Sequence, residues 1–303
     1  HFTIHSFPTR RSSDLARAIR TRYLPLVSGA LRVIPLSAYT AHRPDYFDAI
    51  ARTIDTVARE QYEDYAVQSR FGRQWTRNAL LNTRILPGSH PHAMPETRTE
   101  ALVLGAGPSL SAYIDEIRTR RSSALVISSD AALPFLHHNG IEPDCVLSID
   151  AQAVSALHIL ASRPQRELLL SELSSPPVLS RTARQYRFVS GGHPLVRVLN
   201  RELDAVPEID TGGGNVTHAA ASLAVKLGAT TITLYGADFA YPASQPYARG
   251  TYLFDSFASE EDRLATGDTR WTTFLVSRAV PEPGGATGSA GGARAAEIGR
   301  AHV

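Results

Sequence analysis

From Ala101 onward, short apolar runs alternate with longer segments whose apolar positions recur at helical spacing. The runs are "ALVLG", "ALVISS", "CVLSID" and "TITLYG". Strands covered on both faces are continuously apolar, and parallel neighbours need a long crossover between them, so this alternation predicts an α/β fold with a mostly parallel sheet and flanking helices. Upstream the period changes. "DYFDAIARTIDTVAREQYEDYAVQS" keeps its apolar residues on one helical face, which predicts a long amphipathic helix with Asp45 as its cap. "ILPGSHPHAMPETRTE" is rich in proline and turn residues and reads as a linker. The pattern divides the chain into a helix-rich segment with its linker over 16–99, an α/β domain over 100–280 and a tail over 281–303.

The two ends read differently from the rest. "SFPTRRSSDL" near the start and "IGRAHV" at the end back-translate into complementary strands of a common short-read sequencing adapter, so residues 1–15 and the end of the tail are expected to be translated adapter. The "RR" pair lacks the apolar region of a targeting signal. "PEPGGATGSAGGARAA", 281–296, carries no packing pattern and predicts a disordered linker or a frame-shifted end, with the α/β domain truncated on that side. The 303 residues are 43% hydrophobic, enough for a full core, and no apolar run approaches the roughly 18 residues that cross a bilayer. A cytoplasmic protein is expected. A formal net charge of +2 gives no bulk attraction to nucleic acid or membrane. Lys226 is the sole lysine, which excludes most lysine-centred mechanisms, and the single Cys145 excludes an intramolecular disulfide and a cysteine-based zinc site.

The glycines and acids of the α/β part concentrate where strands end, the place where open sheets hold ligands. In "LGAGPSL", Gly105 and Gly107 allow a tight turn and a close backbone approach, Pro108 suits a first helical turn, and Ser109 suits a cap or a phosphate contact. Exposed amides at a helix start favour an anion. Leu110 stands where the dinucleotide fingerprint has its third glycine, and no Gly-Lys-Ser/Thr follows, so the loop is neither that fingerprint nor a P-loop. Alone, it reads either as an anion cradle or as a tight strand-to-helix turn. Ser129 and Asp130, Asp150 and Gln152, and Asp238 follow three further strands. Each aspartate by itself is explained as a helix cap, whereas three at equivalent positions point to a polar, ligand-facing rim. Gly212, Gly213 and Gly214 precede a helix opened by Asn215 and Thr217, a second N-terminus able to receive a phosphate or sugar. His90 and His92 read as solvated linker residues, His137 and His138 as the end of a helix, and Cys145 as core.

Taken in order, these motifs resemble a known family. "LVLGAGPSL", "VISSDAALPFLHHNGIEPDCVLSIDAQ" and "GGGNVTHAAASLAVKLGATTITLYGADFAYPASQPYARGT" are similar to the motility accessory factor proteins and to the wider MptE-like group named for the archaeal 6-hydroxymethylpterin pyrophosphokinase. "FGRQWTRNALLN" resembles the stretch that precedes this domain in bacterial members, so the likeness covers 71–251. The same motif order resembles bacterial sialyltransferases that use CMP-activated donors without a metal. The resemblance implies a Rossmann-like, sialyltransferase-like fold. It also implies a glycosyltransferase that moves a nonulosonic, sialic-acid-like sugar from a CMP donor to flagellin serines or threonines, with no required cofactor.

Carried onto this chain, the resemblance has Gly105, Ala106, Gly107, Pro108 and Ser109 cradle the donor phosphate, with Gly213, Gly214 and Asn215 facing it. Asp130 and Asp150, with their neighbours Ser129 and Gln152, would line the nucleotide pocket, and Asp238 and Tyr247 would lie near the transferred sugar. The sialyltransferases use a downstream histidine as base, and none stands here between His218 and His302. The base is therefore unassigned: it is expected either in sequence missing from this stretch or at His218 or Asp238, with Tyr247 the further catalytic candidate. An alternative follows from the pyrophosphokinase members, which move a diphosphate from ATP with magnesium; "LSIDAQ" offers only Asp150 where those enzymes carry paired aspartates. A non-catalytic nucleotide-binding scaffold is the third reading.

Overall fold

The computed structural model describes residues 12–23, 31, 34, 42–86, 92–191, 193–203, 206–211, 215–239, 245–261, 263, 266, 267, 269–271 and 273. Residues 1–11 and the tail over 281–303 lie outside the described residues, as do Gly213, Gly214 and His90. The chain forms two compact units that meet in sequence at Arg73 and Gln74.

In the first unit, helix α1 (Ser12–Arg22) and the greater part of helix α2 (Pro44–Thr83) share an apolar core. Leu15, Ile19 and Tyr23, spaced four apart, are buried with Val57, and Ile50, Ile54 and Ala58 pack against them. Helix α1 starts within the adapter-like stretch. Helix α2 runs well past the predicted segment and takes in "FGRQWTRNALLN". It opens on Pro44, whose missing N–H is harmless in a first turn, and this moves Asp45 from the expected cap into the turn itself.

The second unit is built on six parallel strands: β1 (Glu100–Leu104), β2 (Leu125–Ser129), β3 (Cys145–Ser148), β4 (Leu168–Glu172), β5 (Gln185–Val189) and β6 (Thr231–Tyr235). Their order across the sheet is β5-β4-β3-β2-β1-β6. Four of them are the predicted apolar runs, and β4 and β5 are additional. Alternate residues of each strand face opposite layers. Ala101, Val103, Leu125, Ile127, Cys145 and Leu147 meet Ala219, Ala220, Leu223 and Ala224 of helix α8 (Val216–Lys226). On the other face Leu102, Leu104 and Val126 meet Leu110, Ile117 of helix α3 (Ile114–Arg120), and Phe135 and Leu136 of helix α4 (Leu133–His138). Helix α5 (Ala153–Ser162) continues that layer by packing Ile159 over Val146 and Leu169. Short helices α6 (Leu179–Thr182) and α7 (Pro194–Leu203) flank the β4–β5 side. Cys145 is fully buried, as its core reading requires, and burial pushes its thiol up, away from the reactive thiolate.

The topology fixes where loops gather. Strands β1 to β5 step outward in one direction, then the chain returns to place β6 on the free side of β1. The switch point of this doubly wound sheet lies between β1 and β6.

One ion pair ties the α4 end to the sheet. His137 Nε2 lies 2.5 Å from Glu167 Oε1, and Glu167 also accepts from the amides of Gln165 (2.9 Å) and Arg166 (3.0 Å). The hydrogen bond to Glu167 raises the His137 pKa against the effect of burial. Burial pushes Glu167 up, but its bonds to His137 and the backbone outweigh this and hold it at about 2. A raised histidine contributes stability that is complete below its ordinary 6.5 and disappears as pH climbs through its folded value. The depressed glutamate contributes above its ordinary 4.5 and is lost as pH falls toward 2. The bridge therefore counts most between those two ordinary values. Glu167→Gln should cost about 1–3 kcal/mol in urea unfolding at pH 6 and distinctly less at pH 9.

Candidate functional site at the strand ends

The loops after β1 and β6 are joined by four hydrogen bonds. Gly105 N donates to Tyr235 O (2.7 Å), Gly107 N to Gly236 O (2.9 Å) and Ser109 N to Asp238 Oδ2 (2.9 Å), while Ser109 Oγ donates to Asp238 Oδ1. The glycines are needed for this crossing. A Cβ on Gly107 would stand 2.5 Å from Asp238 Oδ2 and 2.7 Å from Gly236 O, and one on Gly105 would run into the Gly236 carbonyl. Gly236 itself sits at φ +63. The missing side chains thus let two backbones pass each other, and the amides of Gly105, Gly107 and Ser109 point to β6 and its loop. Pro108 and Ser109 open a 3-10 turn (Pro108–Tyr113) rather than an α-helix, with Gly107 before it providing no side-chain cap.

Two other segments converge on this seam. Thr217 Oγ1, in the first turn of α8, lies 3.3 Å from where a Gly105 Cβ would be, so that helix N-terminus abuts the β1 loop. Asn215 caps it, its Oδ1 accepting from His218 N at 2.8 Å, and His218 is exposed. From the far side Ala248 N donates to Ala106 O (2.9 Å), bringing the half-buried Tyr247 beside the loop. Gly105 to Ser109, Asn215, Asp238 and Tyr247 are therefore assembled in one region, as the sequence suggested.

The ends of β2 and β3 form the adjoining part of the rim. Ser129, not Asp130, caps the turn that follows β2, its hydroxyl accepting from Ala132 N at 3.3 Å. Asp130 turns inward instead. Its Oδ1 accepts from Ala131 N (2.8 Å) and its Oδ2 from Ser148 Oγ (2.7 Å). Burial raises its pKa to about 6; bonds from Ser148, Ala131 and Ser155 oppose the rise, and the charge of Asp150 adds to it. Asp150 is held by Gln152, whose amide (2.9 Å) and side-chain Nε2 (3.2 Å) donate to its two oxygens. Behind them, His158 of α5 stacks edge-on against Tyr252, 5.9 Å between centroids. Burial lowers its pKa to about 4, and its buried Nδ1 has no hydrogen-bond partner.

A group of residues at this rim was not anticipated. The last turns of α2 present Gln74, Asn78 and Asn82, four apart on one face, to backbone carbonyls after β3 and β4. Gln74 Nε2 donates to Ala151 O (2.5 Å), Asn78 Nδ2 to Ala151 O (3.2 Å) and Ser174 O (3.0 Å), and Asn82 Nδ2 to Leu173 O (2.8 Å) and Ser175 O (2.9 Å). Asn78 and Asn82 are buried. The spacing within "QWTRNALLN" carries the signal: amides at i, i+4 and i+8 form a polar stripe. Glu172 at the end of β4 is likewise buried, accepting from Ser174 N, Ser174 Oγ and Gly191 N (3.0 Å).

A cleft of about 810 Å³ lies elsewhere, between α4, α5 and helix α9 (Tyr252–Ser259), and is lined by His137, His138, Arg249, Tyr252 and Asp255 among others. It does not include the strand-end residues, and His137 at its wall is engaged by Glu167. His92 is no metal ligand candidate here: its Nδ1 meets the backbone of Tyr186 at 3.2 Å from the carbonyl oxygen.

Fold and site together are those of a Rossmann-like α/β protein whose loops converge on a switch point. The chain belongs to the MptE-like family, described as 6-hydroxymethylpterin diphosphokinase MptE-like, which matches residues 77–244. Two uncharacterized proteins of Treponema pallidum (strain Nichols) are similar to it. One is 34% identical over 154 residues, half of this chain and 73% of that protein, and the other is 32% identical over 122 residues, 39% of this chain and 43% of that protein. A Maf glycosyltransferase structure from Magnetospirillum magneticum AMB-1 matches at TM-score 0.42 and 21% identity, over 49% of this chain and 24% of that one. No helix among the described residues is long and apolar enough to cross a membrane.

The seam can be tested through two glycines with the same backbone hand. Gly140, at φ +69, has nothing near its missing Cβ, whereas a Cβ on Gly236 would strike the Gly105 backbone. Gly140→Ala should cost about 1–2 kcal/mol for the left-handed conformation alone. Gly236→Ala should lower Tm clearly further, and equal losses would mean that the crossing is slack.

Proposed function

We propose that this protein is a glycosyltransferase that moves a nonulosonic, sialic-acid-like sugar from a CMP-activated donor to a serine or threonine of flagellin. Family membership and the switch-point site support a nucleotide-bound donor. One observation favours sugar transfer over magnesium-dependent diphosphate transfer: each of the three strand-end aspartates already has a donor on both oxygens. Asp130 is held by Ala131 and Ser148, Asp150 by Gln152, and Asp238 by Ser109. A magnesium ion would have to share these oxygens with the donors that fix the loops, and no group of three or more His, Cys, Asp or Glu side chains placed to hold a metal ion occurs among the described residues.

In this reading the first turn of α8, abutting Gly105, receives the donor phosphate, favoured by the helix dipole. Gly105, Gly107 and Ser109 act one step removed, by holding the β1 loop against β6. Asp130 and Asp150 border the nucleotide, and Tyr247 borders the sugar. With Asp238 engaged by Ser109, the exposed His218 is the freer of the two candidate groups for accepting the acceptor hydroxyl's proton.

Thermal-shift measurements with CMP, CDP and ATP, each with and without magnesium, test the proposal. A ligand at about 100 times its Kd adds about 2.7 kcal/mol. A Tm rise with CMP that is indifferent to magnesium is expected. A rise with ATP only when magnesium is present would instead establish the diphosphate-transfer reading, and no rise with any of them would leave a scaffold.

A further inference from the structure

Beside the seam stands a residue that the fold itself does not explain. Phe239 has φ +46, a left-handed conformation that bulky side chains rarely adopt, and yet its ring is 69% exposed. Burial therefore gives little return for the strain. A glycine would relieve the backbone, and a polar residue would suit the solvent. The position is also set firmly: Asp238, its immediate neighbour, receives two hydrogen bonds from Ser109, and Gly236, three residues back, is locked against Gly105. Strained residues persist where the surroundings over-determine them, and they cluster at ligand clamps. Here an exposed aromatic residue directly follows Asp238, whose carboxylate is bound by Ser109 of the β1 loop, and the first turn of α8 abuts that same loop at Gly105.

We infer that Phe239 is a stacking platform for a flat heteroaromatic ring, the base of the nucleotide whose phosphate the seam receives. The inference rests on the nucleotide reading of the rim and adds the residue that grips the base. An aromatic platform stacks on any base, so Phe239 contributes affinity rather than selection between bases.

Calorimetric titration of the full chain with CMP and with ATP, on the unaltered protein and three variants, tests it. Phe239→Tyr keeps the ring and should bind like the unaltered protein. Phe239→Leu keeps the backbone strain but removes the ring and should bind at least about fivefold more weakly. Phe239→Gly should also bind more weakly while its Tm is no lower than that of the unaltered protein, because the strain is gone. Binding and stability thus move apart, which a side chain that merely supports the fold would not produce. Unchanged affinity in Phe239→Leu overturns the platform and leaves the nucleotide reading standing, as does a large fall in Tm for Phe239→Gly. A folded protein that binds neither nucleotide overturns both.

Discussion

The rim of this protein depends on two backbones that cross without side chains between them. Gly105 and Gly107 on one loop and Gly236 on the other allow β1 and β6 to leave the sheet in contact, and the contact is sealed by Ser109 reaching Asp238. In a doubly wound sheet the two loops at the switch point ordinarily splay apart and leave a crevice. Here they are stitched together by the bonds from Gly105, Gly107 and Ser109, with the first turn of α8 abutting Gly105 and Ala248 N bonded to Ala106 O.

The second feature of the rim is how completely its acids are satisfied. Burying a carboxylate is costly unless donors surround it. Asp130 and Glu172 sit among serine hydroxyls and turn amides, and Asp130 still has its pKa raised to about 6 by burial, against the pull of those bonds. Asn78 and Asn82 do the complementary work for acceptors, covering four loop carbonyls that would otherwise be buried without partners. The end of α2 is therefore part of the α/β unit's polar lid.

Much of the architecture was legible in the sequence because parallel strands buried on both faces announce themselves as apolar runs. Strands β1, β2, β3 and β6 were of that kind. Strand β5, "QYRFV", is half-exposed at the sheet edge and mixes polar with apolar residues, and β4, "LLLSE", runs into buried polar groups, so neither stood out. The strand-end acids were legible as a set, since position after a strand is a sequence property. Their partners were not: Asp238 meets Ser109 across more than a hundred residues, and the Gln74, Asn78 and Asn82 stripe acquires meaning only once the loops after β3 and β4 are in place. The glycines stood out in the sequence as sites of close approach, but not which approach: a ligand and another loop leave the same signature, and Gly105 and Gly107 meet the Gly236 backbone.

The central claim is that ligand binds at the strand ends around the Gly105–Gly236 seam. Hydrogen exchange measured with and without saturating CMP tests it most directly, because it reports where on the chain binding slows local opening. The account predicts slowed exchange in peptides covering 105–110, 128–132, 148–152, 215–218 and 236–239. Slowed exchange confined to the cleft lined by His138, Arg249, Tyr252 and Asp255 would contradict it.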